Sequence, residues 1–294
     1  MRPRMNRETT VAADPGFAPA KVNLALHVTG RRADGYHRLD SLVVFAGVGD
    51  RVAAEAADAL SLRVDGPFGA AVPVEGNLVL RAAEALRAAR GLEEGGAALS
   101  LSKALPPASG IGGGSSDAAA ALRVLARLWG VEPLGGDEAL ALGADLPVCL
   151  LARPARMRGV GERLEPATGL PPMALVLVNP GRPVETRAVF AAFAGAAGEP
   201  MGPVPEGSGY DAFAAWLRSR ANHLAPPAER VEPRIGEALA RLRAAPGVDL
   251  ARLSGSGATG FGLCRDLAAA ERAAAAIRAE APDDWWVTAA PVLG

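Results

Sequence analysis

Residues 105–119 read LPPASGIGGGSSDAA: two prolines, then glycines at 110, 112, 113 and 114, then two serines and an aspartate that open an alanine-rich stretch. Upstream, Ala97–Lys103 alternates with the period of a strand; downstream, Asp117–Trp129 has helical spacing and is ended by Gly130. Strand, glycine loop, helix is a unit of an α/β protein. Gly110, Gly112, Gly113 and Gly114 allow close approaches that a side chain forbids, so several backbone N–H groups can turn toward one point. A helix beginning directly afterwards adds its unpaired N–H groups and the positive end of its dipole. Ser115 and Ser116 add hydroxyls. A tight turn with a serine cap and Asp117 in the first helical turn would account for one or two of these glycines, but four within five positions point to a bound phosphate. The lysine that a Walker loop needs after its last glycine is absent, because Ser115 and Ser116 follow Gly114.

Outward from the loop, Ala20–Val28 alternates Val22, Leu24, Leu26 and Val28 with Lys21, Asn23, Ala25 and His27, a strand with one buried face that puts Lys21 and Asn23 together on the other. Asp34-Gly35 makes a turn, and Leu39–Phe45 and Leu60–Asp65 read as strands. Asn77 caps a helix running to about Arg90, which Gly91 stops. The segment PATGLPP, 166–172, reads as a domain boundary ahead of strand Ala174–Val178. Helices follow near Thr186–Phe193, Tyr210–Ala221 and Val231–Ala245, then strands Val248–Leu253 and Phe261–Cys264, a helix from Asp266 and a strand around Trp286. Residues 195–209 carry no periodicity and are expected to form a mobile loop.

The bulk properties narrow the function. A chain of 294 residues suits two domains or one large one. Lys and Arg number 31 against 32 Asp and Glu without long blocks of one sign, so no nucleic-acid footprint exists and the partner is expected to be small. The basic first residues are followed by no apolar run, and the uncharged stretch Pro166–Gly181 is broken by prolines, so neither a signal peptide nor a membrane span is expected. Cys149 and Cys264 lie far apart, as in a reduced cytoplasmic protein without a zinc site. Nothing in the sequence fixes an oligomeric state.

Single residues read alone stay open. Asp145, beside Pro147, is either a turn aspartate or a general base. Lys21 is either a solvated strand charge or a partner for such a carboxylate. Tyr36 and His37 follow a turn and could present rings to a nucleobase. The spacing Gly255-x-Gly257-x-x-Gly260 formally matches a dinucleotide fingerprint, but Phe261–Cys264 reads as a strand rather than a helix opening, which leaves a structural turn or a substrate-contacting one. His27 and His223 have no partners at metal-binding spacing and read as structural or surface residues.

Taken together, APAKVNLALHV at 18–28, DGYHRLDS at 34–41, PPASGIGGGSSDAAAA at 106–121, GADLPVCL at 143–150 and LSGSGATGFGL at 253–263 resemble the GHMP kinases. The Lys-Val-Asn strand with Gly-Tyr-His is most similar to the members that act on a cytidine diphosphate-linked methylerythritol in the non-mevalonate isoprenoid route. The resemblance implies an extension at 1–17, an N-terminal α/β domain with a left-handed crossover at 18–166, and a ferredoxin-like C-terminal domain at 172–294, an α/β (α+β) fold with the site between its domains. It implies phosphorylation of a substrate 2-hydroxyl by ATP with Mg2+, whose ligands the sequence does not fix. By motif match, Asp145 is the base and Lys21 assists. ATP would lie on Pro106, Gly110, Ile111, Gly112, Gly113, Gly114, Ser115 and Ser116, with Asn77, Leu78 and Lys103 near the adenosine; read alone, those three are a helix cap, a core leucine and a solvated strand end. Substrate would lie on Asn23, Tyr36, His37, Thr186, Phe190, Gly255, Ser256 and Gly257. Two departures stand out: Asn222-His223-Leu224-Ala225 lacks two acids of the family pattern, and the segment between Trp129 and Gly143 is short. Another GHMP kinase, a non-catalytic nucleotide-binding regulator and a nicotinamide oxidoreductase are the competing readings.

Overall fold

The computed structural model describes residues 14–92 and 95–294; the first thirteen residues of the expected extension lie outside them. Strand β1 (Phe17–Arg31) runs antiparallel to the long strand β2 (His37–Ala56) through a turn at Gly35, whose φ of +91° suits glycine. Strand β3 (Leu60–Asp65) leads through helix α1 (Leu78–Ala89) to strand β4 (Ala97–Ser102), which lies parallel to β3 and antiparallel to β2. Helix α1 forms as its sequence dictates: Asn77 Oδ1 accepts the Val79 N–H at 2.9 Å, and Val79, Ala82, Ala83 and Leu86 make one buried stripe.

After the glycine loop come helices α2 (Gly113–Trp129), α3 (Gly136–Leu142) and α4 (Leu146–Leu151), then strands β5 (Ala155–Gly159) and β6 (Arg163–Pro166), β5 pairing with β2. Helix α2 begins at Gly113, four residues before the sequence reading placed it. Glycine's low helix propensity masks a start that the packing of the following alanines enforces.

The second half holds strand β7 (Ala174–Asn179), helices α5 (Thr186–Ala191), α6 (Tyr210–Arg218), α7 (Ala225–Val231) and α8 (Arg234–Ala244), strands β8 (Leu250–Leu253) and β9 (Gly260–Cys264), helix α9 (Leu267–Glu280) and strand β10 (Trp286–Leu293). Its strands are ordered β10-β7-β9-β8, the expected ferredoxin-like arrangement. The helix expected over Val231–Ala245 is α8, starting three residues later at Arg234, because α7 ends at Val231 and Glu232 is extended before Pro233. Strand β10 also pairs with β2 through Val292↔Ala46 and Leu293↔Phe45, so the two halves share one sheet.

The expectation of a mobile loop at 195–209 is corrected. The segment is irregular but pinned across β1 and β2: Gly198 N–H donates to Val28 O at 2.8 Å, Met201 N–H to Asp40 Oδ2 at 2.9 Å, and Met201 is buried. A shared central core packs Leu24, Leu42, Leu105 and Ile111 of the first half against Phe213, Leu175 and Phe261 of the second. The glycine loop is therefore anchored where the halves meet.

Candidate active site

Strand β1 is buried on both faces, not on one as its alternation suggested: the second half packs on the Val22–Leu24 face, and the glycine loop, Asp145 and the Ser254-Gly255 turn cover the Lys21–Asn23 face. Lys21 is 3% exposed, which removes its reading as a solvated strand charge. Its Nζ lies 2.9 Å from Asn23 Oδ1 and 2.9 Å from Asp145 Oδ2. A β-bulge between Asn23 and Ala25 lets Asn23 donate through Nδ2 to Ser41 Oγ at 2.7 Å while its backbone N–H reaches Ser254 Oγ at 3.1 Å. Asp145 precedes α4, and its side chain caps no helical N–H group. A third of that side chain, 34%, stays open to solvent. One face thus presents a partly open carboxylate oriented by a buried ammonium.

The glycine loop lies directly beside this pair. Lys21 N–H donates to Ile111 O at 2.9 Å. A Cβ at Gly110, whose φ is +74°, would lie 2.5 Å from Gly257 O; one at Gly112 would lie 3.1 Å from Lys21 Cε; one at Gly113, 3.1 Å from Lys103 Nζ. Packing explains these three glycines. Nothing lies within 4 Å of a Cβ on Gly114, which is exposed in the first turn of α2. The first α2 hydrogen bond is Ser116 N–H to Gly112 O, which leaves the N–H groups of Gly113, Gly114 and Ser115 without intrahelical partners.

Beneath this turn, the reading of Lys103 as a solvated strand end is overturned: it is 2% exposed, bonded to Asp117 Oδ2 at 2.7 Å and to Asp50 Oδ2. Asp50 Oδ1 also accepts the Ala104 and Leu105 N–H groups. Burial works against the charge of Lys103, yet Asp117 and Asp50 raise its pKa. Burial pushes the Asp117 carboxyl well above the carboxylate range against the pull of Lys103. Asp117, read as a first-turn aspartate, is part of this buried cluster, and its Oδ1 has no partner among the described residues. The Ser116 hydroxyl is likewise buried and donates to Pro19 O at 2.7 Å, so its hydrogen is committed inside the protein. Pro106 O accepts the Ser109 hydroxyl. Asn77 and Leu78 open α1, the asparagine spent on its cap and on Pro73 O, the leucine half-buried against the first half's core.

On the far side, Tyr36 is 68% exposed in the β1–β2 turn. The His37 ring stacks on Phe190 at 5.1 Å and meets Phe193 edge-on at 5.7 Å; burial and then Arg31 lower its pKa, which keeps the imidazole neutral at pH 7. Thr186 Oγ1 and Ser256 Oγ are 2.9 Å apart. Gly255, Ser256 and Gly257 form a turn closed by Gly257 N–H to Ser254 O, and strand β9 follows it, which excludes the dinucleotide fingerprint.

The family model for the GHMP kinases N terminal domain matches residues 77–152 and that for the GHMP kinases C terminal region matches 208–283. A 4-diphosphocytidyl-2-C-methyl-D-erythritol kinase of Jannaschia sp. (strain CCS1) is 54% identical over 279 residues, spanning 95% of this chain and 97% of its own. One of Hyphomonas neptunium is 53% identical over 290 residues, spanning 95% and 96%. The chain belongs to the 4-diphosphocytidyl-2-C-methyl-D-erythritol kinase family of GHMP kinases. The crystal structure of a 4-(cytidine 5'-diphospho)-2C-methyl-D-erythritol kinase superposes with TM-score 0.76 at 38% identity, covering 95% of this chain and 98% of that one. A homoserine kinase at 16% identity and TM-score 0.68 shares the fold. As a GHMP kinase the chain is an ATP-dependent enzyme acting on a small molecule.

Two residues of this GHMP kinase escaped the sequence reading. Ser254 Oγ accepts from Asn23 N–H and donates to Gly110 O at 3.1 Å, joining β1, the glycine loop and the second half. Asn222 donates to Leu253 O and Gly255 O and accepts from Leu224 N–H, so it shapes the Gly255 turn. The family departure at 222–225 drew attention to what was missing there rather than to Asn222 itself. His27 and His223 are structural: their rings stack at 4.5 Å and bond backbone groups of Glu199, Ala221 and Val28.

Proposed function

We propose that this chain transfers the γ-phosphoryl group of ATP to the 2-hydroxyl of 4-diphosphocytidyl-2-C-methyl-D-erythritol, a step toward isoprenoid precursors. The observation that carries this reading is the Lys21–Asp145 pair, 2.9 Å apart, beside the start of α2. Asp145 accepts the hydroxyl proton as the new O–P bond forms, and Lys21, fixed by Asn23, holds the carboxylate toward the alcohol. The N–H groups of Gly113, Gly114 and Ser115 hold the transferring phosphates, with Gly114 leaving room for close approach. Pro106, Gly110, Ile111 and Gly112 shape the loop, Ser116 fastens it, Lys103 supports it from beneath, and Asn77 and Leu78 border the adenosine.

Tyr36 stacks on the cytosine, His37 bonds its edge, and Phe190, stacked here on His37, passes one ring face to the base. Thr186 and the Gly255-Ser256-Gly257 turn line the rest of the substrate. Mg2+ would come with ATP, whose phosphates and water would supply ligands; among the described residues no three His, Cys, Asp or Glu side chains converge as metal ligands.

The domain boundary falls at 166–172, between an ATP-binding half and a ferredoxin-like half. No helix of the described residues is long and apolar enough to cross a membrane. Cys149 and Cys264 are buried, their thiol pKa values pushed up to about 12 by burial, which suits a reduced cytoplasmic protein. The test is ATP consumption with the cytidylylated methylerythritol, compared with mevalonate, homoserine and galactose. Turnover confined to the first is the expected result; equal turnover of another alcohol would assign this enzyme to a different GHMP activity.

A further inference from the structure

Along β2, His37, Leu39 and Ser41 alternate with Arg38 and Asp40. Ser41 bonds Asn23 and His37 stacks on Phe190, so Arg38 and Asp40 face away from the active site. That opposite face holds a cavity of about 380 Å³ between the β1–β2 hairpin, the β5–β6 turn and Pro200 of the strap at 195–209. Four arginines, Arg32, Arg38, Arg158 and Arg163, line it against two carboxylates, Asp40 and Glu162.

The carboxylates are already committed. Asp40 takes a bidentate fork from Arg156 and the Met201 N–H, and Glu162 accepts the Val160 N–H at 2.6 Å. The arginines are less well served. Arg32 reaches Asp34 at 2.8 Å and Arg158 pairs with Glu165 through one terminal nitrogen, but Arg158 Nε is buried without a partner. Arg163 comes no closer than 3.8 Å to Glu162, and Arg38 has no acidic partner among the described residues. Guanidinium-bearing side chains on three strands and one turn thus line one cavity too large for a single water and left net positive by its own lining. Planar N–H forks in such a set match phosphoryl oxygens.

We propose that this cavity is a second anion site, separate from the glycine loop, that takes a small diphosphate-bearing ligand. The volume and the spread of the arginines over three strands and a turn favour two linked phosphoryl groups over one. Inorganic diphosphate and a diphosphate ester share this chemistry.

The experiment titrates inorganic pyrophosphate, and in a second arm a short alkyl diphosphate, into the full chain saturated with a non-hydrolysable ATP analogue, by calorimetry at ionic strength matched with NaCl. Arg38 and Arg163 are exposed and outside the kinase site, so the Arg38→Gln, Arg163→Gln double variant should keep its melting temperature and its affinity for the ATP analogue. The wild type is expected to bind at least one of the two ligands, the tighter identifying the source, and the double variant at least tenfold more weakly. No binding of either ligand to the wild type would overturn the proposal. So would equal affinity of the folded variant, which would put the anion elsewhere.

Discussion

Asp145 could have been a helix cap, yet its carboxylate caps nothing and turns to Lys21 instead. Replacing it by Asn keeps the shape and removes the base, so turnover should fall by about 10²–10⁴ while ATP affinity stays within a few-fold. Steady-state rates beside an ATP titration of the folded variant measure both; wild-type turnover would rule Asp145 out as the base. Tyr36 is exposed and its side chain meets no partner among the described residues, so Tyr36→Ala should leave stability alone and weaken the cytidine substrate by about 1–3 kcal/mol, roughly ten- to hundredfold. Unchanged substrate affinity would separate this ring from the base. Strand periodicity sufficed to put Lys21 and Asn23 side by side. It could not reveal that their face is buried, since burial there comes from residues far along the chain, Gly112 and Asp145 beside Lys21 and Ser254 beside Asn23. The approach of Asp145 rested on family likeness, because no local pattern links it to Lys21.

The glycine loop separates structural from ligand-directed glycines. Gly110→Ala would press a Cβ to 2.5 Å from Gly257 O at a φ of +74°, so it should destabilise the protein and loosen both nucleotide and substrate. Gly114→Ala meets nothing and lies in a helix, where alanine is better by about 0.8–1 kcal/mol. Its melting temperature should hold or rise while ATP affinity falls; undiminished ATP affinity would show that phosphate does not approach Gly114. Below the turn, Asp117 holds its proton more firmly folded than unfolded because burial raises its pKa. That contribution is fully present below the unfolded value and is lost as pH rises through the folded one. Urea unfolding followed from the ordinary carboxylate range upward in pH should therefore show a decline in stability that is shallower in Asp117→Asn; parallel profiles would mean that Asp117 contributes no such linkage. The strand, loop and helix were legible because each has its own residue signature. The helix start was not, since glycine and serine signal turns even where tertiary packing makes them helical.

Across the whole molecule, the strap at 195–209 hangs on Asp40, whose carboxylate resists burial through Arg156 and the Met201 N–H and so keeps a pKa below its ordinary value. Its contribution is present above the unfolded carboxylate pKa and is lost as pH falls through the lower folded one. Asp40→Asn should cost on the order of 1.5–3 kcal/mol near neutrality, and the gap from wild type should close in acid; a gap independent of pH would contradict the charge-based account. Periodicity was silent on this strap because its order comes from single hydrogen bonds rather than from a repeat. The ferredoxin-like order of the second half was readable from alternating strands and helices, whereas the β10–β2 junction was not, since a two-residue pairing leaves no pattern. That junction bears on how the chain matures. Strand β10 is made after every strand it pairs with, and until it arrives β7 has an unpaired edge where β10 belongs and β2 lacks its bridge to the second half. A nascent or truncated chain ending before Trp286 would carry that open edge, a template for intermolecular pairing, and completion of this eight-residue strand is what closes it.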